Sequence, residues 1–250
     1  MAYSPALALT CAEYSAKVYL EPDQHVLADS NQAFISRFGT QVWLINAAEA
    51  VYVIFRGTSD EDFFTDLKFR KTETDFGRVH RGFHDYVMLA QWEVIQQLLQ
   101  WVPRMDKPVI LTGHSLGAAA AVIEACYLNE LGFDIAGIYT FGEPRIGNGR
   151  FARFVDDAFD GKHFRHVNGL DGVPMIPPLH WGFRHCGQRF YFSTYKQQLI
   201  RNAPLCQVML ERLPILIKRP WKWGTYKIID HAVAGYVGAC ERNLETVREK

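Results

Sequence analysis

What this chain of 250 residues has little of already narrows it. Charge of one sign is missing: 27 Lys and Arg stand against 27 Asp and Glu, so nothing global points to nucleic acid or to a strongly acidic partner. Long apolar runs are missing as well, none approaching the ~18 residues of a membrane span. Cysteine is sparse and unpatterned. Cys11, Cys126, Cys186, Cys206 and Cys240 show no C-x-x-C spacing, and an odd count cannot all pair within one chain, so free and mostly buried thiols are expected. No Pro/Gly/Ser-rich linker, repeat or low-complexity tract divides the chain, and residues 1–250 read as a single domain. Residues 1–20 lack a basic n-region, and Glu13, Tyr14, Ser15 and Lys17 interrupt their apolar residues. They read as an amphipathic helix rather than a signal peptide. The expectation is a soluble or at most peripheral protein, cytoplasmic or exported without a cleavable signal; the compartment itself is unreadable.

What is present alternates. Residues 33–38, 41–46 and 51–55 are β-branched and aromatic, and short turns between them predict antiparallel neighbours. Gln91 to Trp101 has helical apolar spacing that stops at Pro103. Strand 108–112, helix 115–130, strand 134–141, helix 148–159 and strand 162–168 then follow, an order that implies a parallel sheet covered by helices on both faces. A strand at 188–192 leads into an irregular apolar segment, and a helix from His231 to Arg242, N-capped by Asp230, closes the reading. The fold class is α/β, mostly parallel, with antiparallel strands on the N-terminal side.

The most informative stretch is Gly113-His114-Ser115-Leu116-Gly117, set between an apolar strand and an alanine-rich helix. A serine at such an apex takes a strained backbone, and near-absent side chains two positions to either side let strand and helix pass closely. The turn lifts the Ser115 hydroxyl and sets the Leu116 N–H at the positive end of the new helix, where an oxyanion would be stabilised. This is a nucleophile elbow.

A serine needs a base and an orienting carboxylate. Sites on open α/β sheets lie beyond the carboxyl ends of the strands, which favours Asp171, in the turn after the strand at 162–168, over Asp156, Asp157 and Asp160 at a helix end. Among the histidines, His163 and His166 belong to a strand, and His180 and His185 flank a Trp-Gly turn. His231, after the last strand-like run, is favoured as the base. A second oxyanion donor belongs on an early loop after a strand. Thr58 in Phe55-Arg56-Gly57-Thr58 is the candidate, with an ordinary Gly-Thr turn as the equal alternative.

These blocks, with His80-Arg81-Gly82-Phe83, Thr140-Phe141-Gly142-Glu143-Pro144-Arg145-Ile146-Gly147-Asn148 and Asn168-Gly169-Leu170-Asp171-Gly172-Val173-Pro174, resemble the class 3 lipases, α/β-hydrolases typified by filamentous-fungal triacylglycerol lipases. The resemblance runs from about Val51 to Pro178 and resumes at His231. It implies Ser115 as nucleophile, Asp171 as acid, His231 as base, and Thr58 and Leu116 as oxyanion donors of a carboxylic ester hydrolase working through an acyl-serine, without metal or organic cofactor. It assigns no chemistry to His80, Gly82 and Phe83. His80 and His84 have helical metal-pair spacing but lack the His-Glu-x-x-His pattern. The resemblance also implies a lid at residues 59–70, where Ser59 and Asp62 form a capping box and Phe63, Phe64 and Leu67 share one helical face. Phospholipase A1, galactolipase and feruloyl-type esterase share the triad and stay open, as does a hydrolase fold retained as a non-catalytic binding protein.

Residues 205–224 are the most apolar part of the chain, kinked at Pro214, and end in Lys218, Arg219, Trp221, Lys222 and Trp223. Basic and indole side chains together suit peripheral contact with a lipid interface. The other reading packs Val208, Met209, Leu213 and Leu216 over the sheet.

Overall fold

Eight strands form one sheet, and their order follows from where the chain can and cannot reverse. In the computed structural model, which describes residues 2–20, 31–58, 70–194, 198–204, 206, 208, 210, 211 and 230–248, strands β1 (Asn31–Arg37), β2 (Thr40–Asn46) and β3 (Val51–Phe55) are joined by short turns. They pair antiparallel, Val42 opposite Phe55 and Asn46 opposite Val51. After β3 the returns to β6 (Val109–His114), β7 (Ile135–Phe141) and β8 (His163–Asn168) pass through helices and the return to β9 (Gln188–Phe192) through a long connection with two 3-10 turns, so these four strands add in parallel. A short β10 (Leu199–Arg201) closes that edge antiparallel to β9, giving the order β1-β2-β3-β6-β7-β8-β9-β10.

Helices cover both faces, as the near-continuous apolar runs of β3, β6 and β7 require. One face carries Val53, Phe55 and Leu111 against α2 (Arg81–Met88), α3 (Gln91–Trp101), α4 (Leu116–Glu130) and α5 (Gly149–Ala158). The other carries Trp43, Tyr52, Ile54 and Ile110 against α1 (Pro5–Lys17) and α6 (Val233–Arg248). Helix α4 is buried on nearly every side, from Leu116 to Leu128, which fits its run of alanines: small side chains let it sit between the sheet and α2. Among the described residues no helix is long and apolar enough to cross a membrane.

The structure departs from the sequence reading in five places, one of them β10, which falls in the stretch after 188–192 read as irregular. The hairpin β4 (Lys71–Thr74) and β5 (Gly77–His80) was hidden because each strand has only four residues. Helix α2 was hidden by Gly82 in its first turn; it is fixed by His80, whose Nδ1 accepts from the Phe83 N–H at 3.3 Å. The last helix starts at Val233, not His231, and runs to Arg248. Asp230 is therefore not its N-cap: its Oδ2 accepts from the Leu170 N–H at 2.6 Å, on another loop.

Candidate active site

Ser115 stands between β6 and α4 with φ 60° and ψ −124°, on the side of the map that L-residues avoid. Two glycines make the turn possible. A β-carbon on Gly113 would collide with the backbone of Gly117, and one on Gly117 with the Phe55 carbonyl. The Ser115 N–H donates to the Phe141 carbonyl at 2.9 Å. Its Oγ is buried and makes no hydrogen bond among the described residues, a common state of a nucleophile without substrate.

Asp171 follows β8 and is fully buried. Its Oδ1 accepts from the Val173 N–H at 2.8 Å. Its Oδ2 accepts from Nδ1 of His231 at 2.9 Å and from the Tyr236 hydroxyl at 2.5 Å. His231 is thus held by its far nitrogen, the arrangement that leaves Nε2 as proton acceptor. Burial, reinforced by the charge of Asp171 and its hydrogen bond, pushes the Tyr236 phenol well above its ordinary pKa, so it stays a donor. Gly142, with φ +62°, leaves room for the pair: a β-carbon there would lie 2.9 Å from Asp171 Oδ2 and 3.0 Å from His231 Nδ1.

The backbone of His231 is tied to the nucleophile's strand. Nε2 of His114, the residue before Ser115, donates to the His231 carbonyl at 2.6 Å, and the two rings lie 4.5 Å apart, centroid to centroid. Burial and the nearby His231 hold the His114 ring well below the usual histidine pKa. A neutral ring that donates at Nε2 must accept at Nδ1, and there the Tyr19 hydroxyl donates at 3.0 Å. The backbone of Gly57 hydrogen-bonds the same hydroxyl. Tyr19, on the turn after α1, therefore links the Gly57-Thr58 loop to the histidine before Ser115.

Thr58 and Leu116 meet in a cleft of about 400 Å³ that Phe38, Arg56, Gly57 and Tyr86 also line. Both oxyanion candidates thus face one space at the N-terminus of α4.

The other candidates have different occupations. His163 donates from Nε2 to Glu143 at 2.8 Å, His166 from Nδ1 to the Thr140 carbonyl at 3.1 Å, and His185 from Nε2 to the Pro174 carbonyl at 2.7 Å. His180 lies edge-on to Trp181. Asp156 accepts from the Gly187 N–H at 2.7 Å. Asp230 braces the Asn168–Asp171 turn instead of orienting the neighbouring imidazole. His80 caps α2 while Nε2 of His84 meets the Tyr127 hydroxyl at 3.1 Å, so the two rings serve different partners. Asp62, Phe63, Phe64 and Leu67 lie outside the described residues, as do Lys218, Arg219, Trp221, Lys222 and Trp223. Val208 is described, and it packs with Val167, Tyr191 and Ala203.

Sequence reasoning missed the roles of Gly142, Tyr236, Tyr19 and His114. Only Gly142 carried a local signal, as a glycine directly after an apolar strand.

A parallel sheet with a strained serine at a strand–helix turn, an aspartate after a later strand and a histidine beyond the last strand defines an α/β-hydrolase. The lipase (class 3) family profile matches residues 52–181, just over half of the chain. The chain belongs to that family. It is 31% identical over 184 residues to secreted mono- and diacylglycerol lipase 1 of Fusarium solani, covering 70% of this chain and 53% of that one. The structure of the triacylglyceride lipase of Rhizomucor miehei superposes with a TM-score of 0.68 at 26% identity, over 78% of this chain and 83% of that one. A triacylglycerol lipase described as having a serine protease triad at its catalytic centre superposes with a TM-score of 0.66 at 28% identity, over 76% and 81% of the two chains. The chain spans about half the length of curated relatives such as those of Fusarium solani and Rhizomucor miehei.

Proposed function

We propose that the protein hydrolyses carboxylic esters of lipid-like acyl chains, acylglycerols foremost, through an acyl-serine formed on Ser115. The observation that carries this is the pair of buried Asp171 and half-buried His231 at 2.9 Å, beyond the carboxyl ends of the strands, where the strained serine also stands. As Ser115 Oγ bonds to the ester carbonyl carbon, its proton passes to His231 Nε2. Charge on the carbonyl oxygen is stabilised by the Leu116 N–H and by Thr58, both on the same cleft. Collapse breaks the bond to the leaving alcohol, which takes the proton from His231. Water, deprotonated by the same imidazole, then releases the carboxylic acid and restores the serine.

The relatives named as mono- and diacylglycerol lipase and as triacylglyceride lipase support a glycerol ester as substrate. The test is an initial-rate panel on the purified chain: 4-nitrophenyl esters, mono-, di- and triacylglycerols, and phospholipids. Turnover of 4-nitrophenyl esters and acylglycerols that disappears in Ser115→Ala supports the reading. Turnover confined to phospholipids replaces the substrate class, and no turnover of any ester, with Ser115 inert to a fluorophosphonate, removes the catalytic reading altogether.

A further inference from the structure

Tyr19 stands in the turn after α1, outside the residues 52–181 that match the family profile, yet its hydroxyl touches both halves of the site. Toward β6 it donates to Nδ1 of His114 at 3.0 Å, and Nε2 of the same ring donates to the His231 carbonyl at 2.6 Å. Toward β3 it accepts from the backbone of Gly57, the residue before Thr58. One oxygen therefore joins the loop of the oxyanion candidate to the ring that holds the backbone of the base. Burial pushes this phenol above its ordinary pKa, so it remains a donor.

The packing leaves little slack around that oxygen. A β-carbon on Gly57 would collide with the Tyr19 hydroxyl and would lie 2.5 Å from the His114 carbonyl oxygen and 3.3 Å from the Ser115 β-carbon. The Gly57 backbone is thus pressed against the nucleophile's own turn. Arg56, one residue earlier, is fixed from the other side: its N–H donates to the Gln41 carbonyl at 3.0 Å, and its carbonyl accepts from the Tyr86 hydroxyl at 2.8 Å. Those two bonds tie the loop to β2 and α2. The Tyr19 hydroxyl ties it to the strand of Ser115, while the Arg56 guanidinium sits 5.4 Å from the centre of the Tyr19 ring.

We propose that Tyr19 is a positioning residue of the ester hydrolysis described above, a proposal that rests on that reading. Its hydroxyl holds the Gly57-Thr58 loop and the His231 backbone in one frame around Ser115. An oxyanion donor works only when it meets the developing charge at hydrogen-bond distance, and a misplacement of about 1 Å weakens the transition state on the order of 10²-fold. The ground-state ester makes less of that contact, so the loss falls on kcat rather than KM. Helices α1 and α6 pack together on one face of the sheet, and each sends one tyrosine hydroxyl to the site: Tyr19 to His114, Tyr236 to Asp171.

The test compares the full-length wild type with Tyr19→Phe, which removes the hydroxyl and keeps the ring, at a temperature where circular dichroism shows both folded. Two quantities are read: steady-state kinetics on a soluble 4-nitrophenyl ester, and inhibition by an alkyl trifluoromethyl ketone. Ser115 Oγ adds to the carbonyl carbon of that ketone, its proton passes to His231, and the ketone oxygen becomes an oxyanion, so the inhibitor reports the oxyanion hole directly. Tyr19→Phe should lower kcat about tenfold or more, weaken the ketone by a similar factor and leave KM within about twofold. Tyr14→Phe is the control. That residue lies on α1 as well but packs edge-on against Trp43 and Tyr52, and it should change none of the three. His114→Leu removes the partner of the Tyr19 hydroxyl and the bond to the His231 carbonyl; it should lower kcat at least as much as Tyr19→Phe, and it decides the proposal if Tyr19→Phe does not fold. Unchanged kcat and ketone inhibition in the folded variant, a change confined to KM, or an equal loss in Tyr14→Phe overturns the proposal and leaves the ester-hydrolase reading standing. A wild type that turns over no ester and is inert to the ketone removes that reading, and this proposal with it.

Discussion

The Tyr236 hydroxyl and the His231 imidazole share one oxygen: both donate to Oδ2 of Asp171, at 2.5 Å and 2.9 Å. The carboxylate is therefore fixed from α6 as well as from its own turn, and the Tyr236 oxygen in turn accepts from the Asn168 N–H at 3.1 Å. Tyr236→Phe removes a hydrogen bond to a charged group and takes from the half-buried Asn168 its N–H acceptor. The expected cost is about 1.5–3 kcal/mol of unfolding free energy, measured by urea denaturation, with kcat/KM lowered about tenfold for the same ester.

Gly142→Ala tests the room left for the pair. Its φ of +62° is a conformation that costs other L-residues roughly 1–2 kcal/mol, and the added methyl would press on Asp171 Oδ2 and His231 Nδ1 together. A displacement of about 1 Å at such a pair lowers kcat on the order of 10²-fold. Steady-state kinetics at a temperature where circular dichroism shows the variant folded decides it; unchanged kcat would mean that the pair yields without consequence.

How much of this was legible beforehand depends on whether the signal was local. Gly113 and Gly117 announce the elbow because both stand two residues from Ser115 in the chain, although the clash that Gly117 avoids is with the distant Phe55 carbonyl, and β3, β6 and β7 announce themselves by near-continuous apolar runs. Asp171 could be chosen by the rule that sites lie beyond strand ends. Tyr19 and Tyr236 could not, because each is defined by partners far along the chain, His114 and Asp171, and each looks like any half-apolar helix residue. The Asp230 assignment failed for a similar reason: a carboxylate before a helix resembles a cap until a distant loop, here at Leu170, offers its N–H instead.

Glu124 gives a pH prediction away from the site. It is fully buried in α4, with Gln91 Nε2 donating to it at 3.2 Å, and burial raises its carboxyl to about 8. The unfolded chain releases this proton near its ordinary pKa of 4.5 while the folded chain keeps it up to about 8. The folded state binds more protons in that window, so this group's contribution to stability is full below the lower value. It falls by about 1.4 kcal/mol per pH unit as pH rises toward the upper one. Glu124→Gln removes the ionisation, and its Tm advantage over wild type should grow from pH 5 to pH 8. A constant difference would show that Glu124 is ionised in the folded protein.

Thr58 separates an oxyanion role from simple packing. If its hydroxyl meets the developing charge, Thr58→Val costs about 2–4 kcal/mol of transition-state stabilisation, seen in kcat rather than KM, and Thr58→Ser retains most activity. A change confined to KM would assign the residue to substrate packing in the cleft.

The central claim is that Ser115 is the nucleophile, and labelling with a fluorophosphonate followed by peptide mapping tests it most directly. The account predicts one adduct, on the Ser115 peptide, forming in step with the loss of ester turnover and greatly slowed in His231→Ala, because the base and the nucleophile act as a unit. Complete loss of turnover with the adduct on another residue, or full turnover by Ser115→Ala, would contradict it.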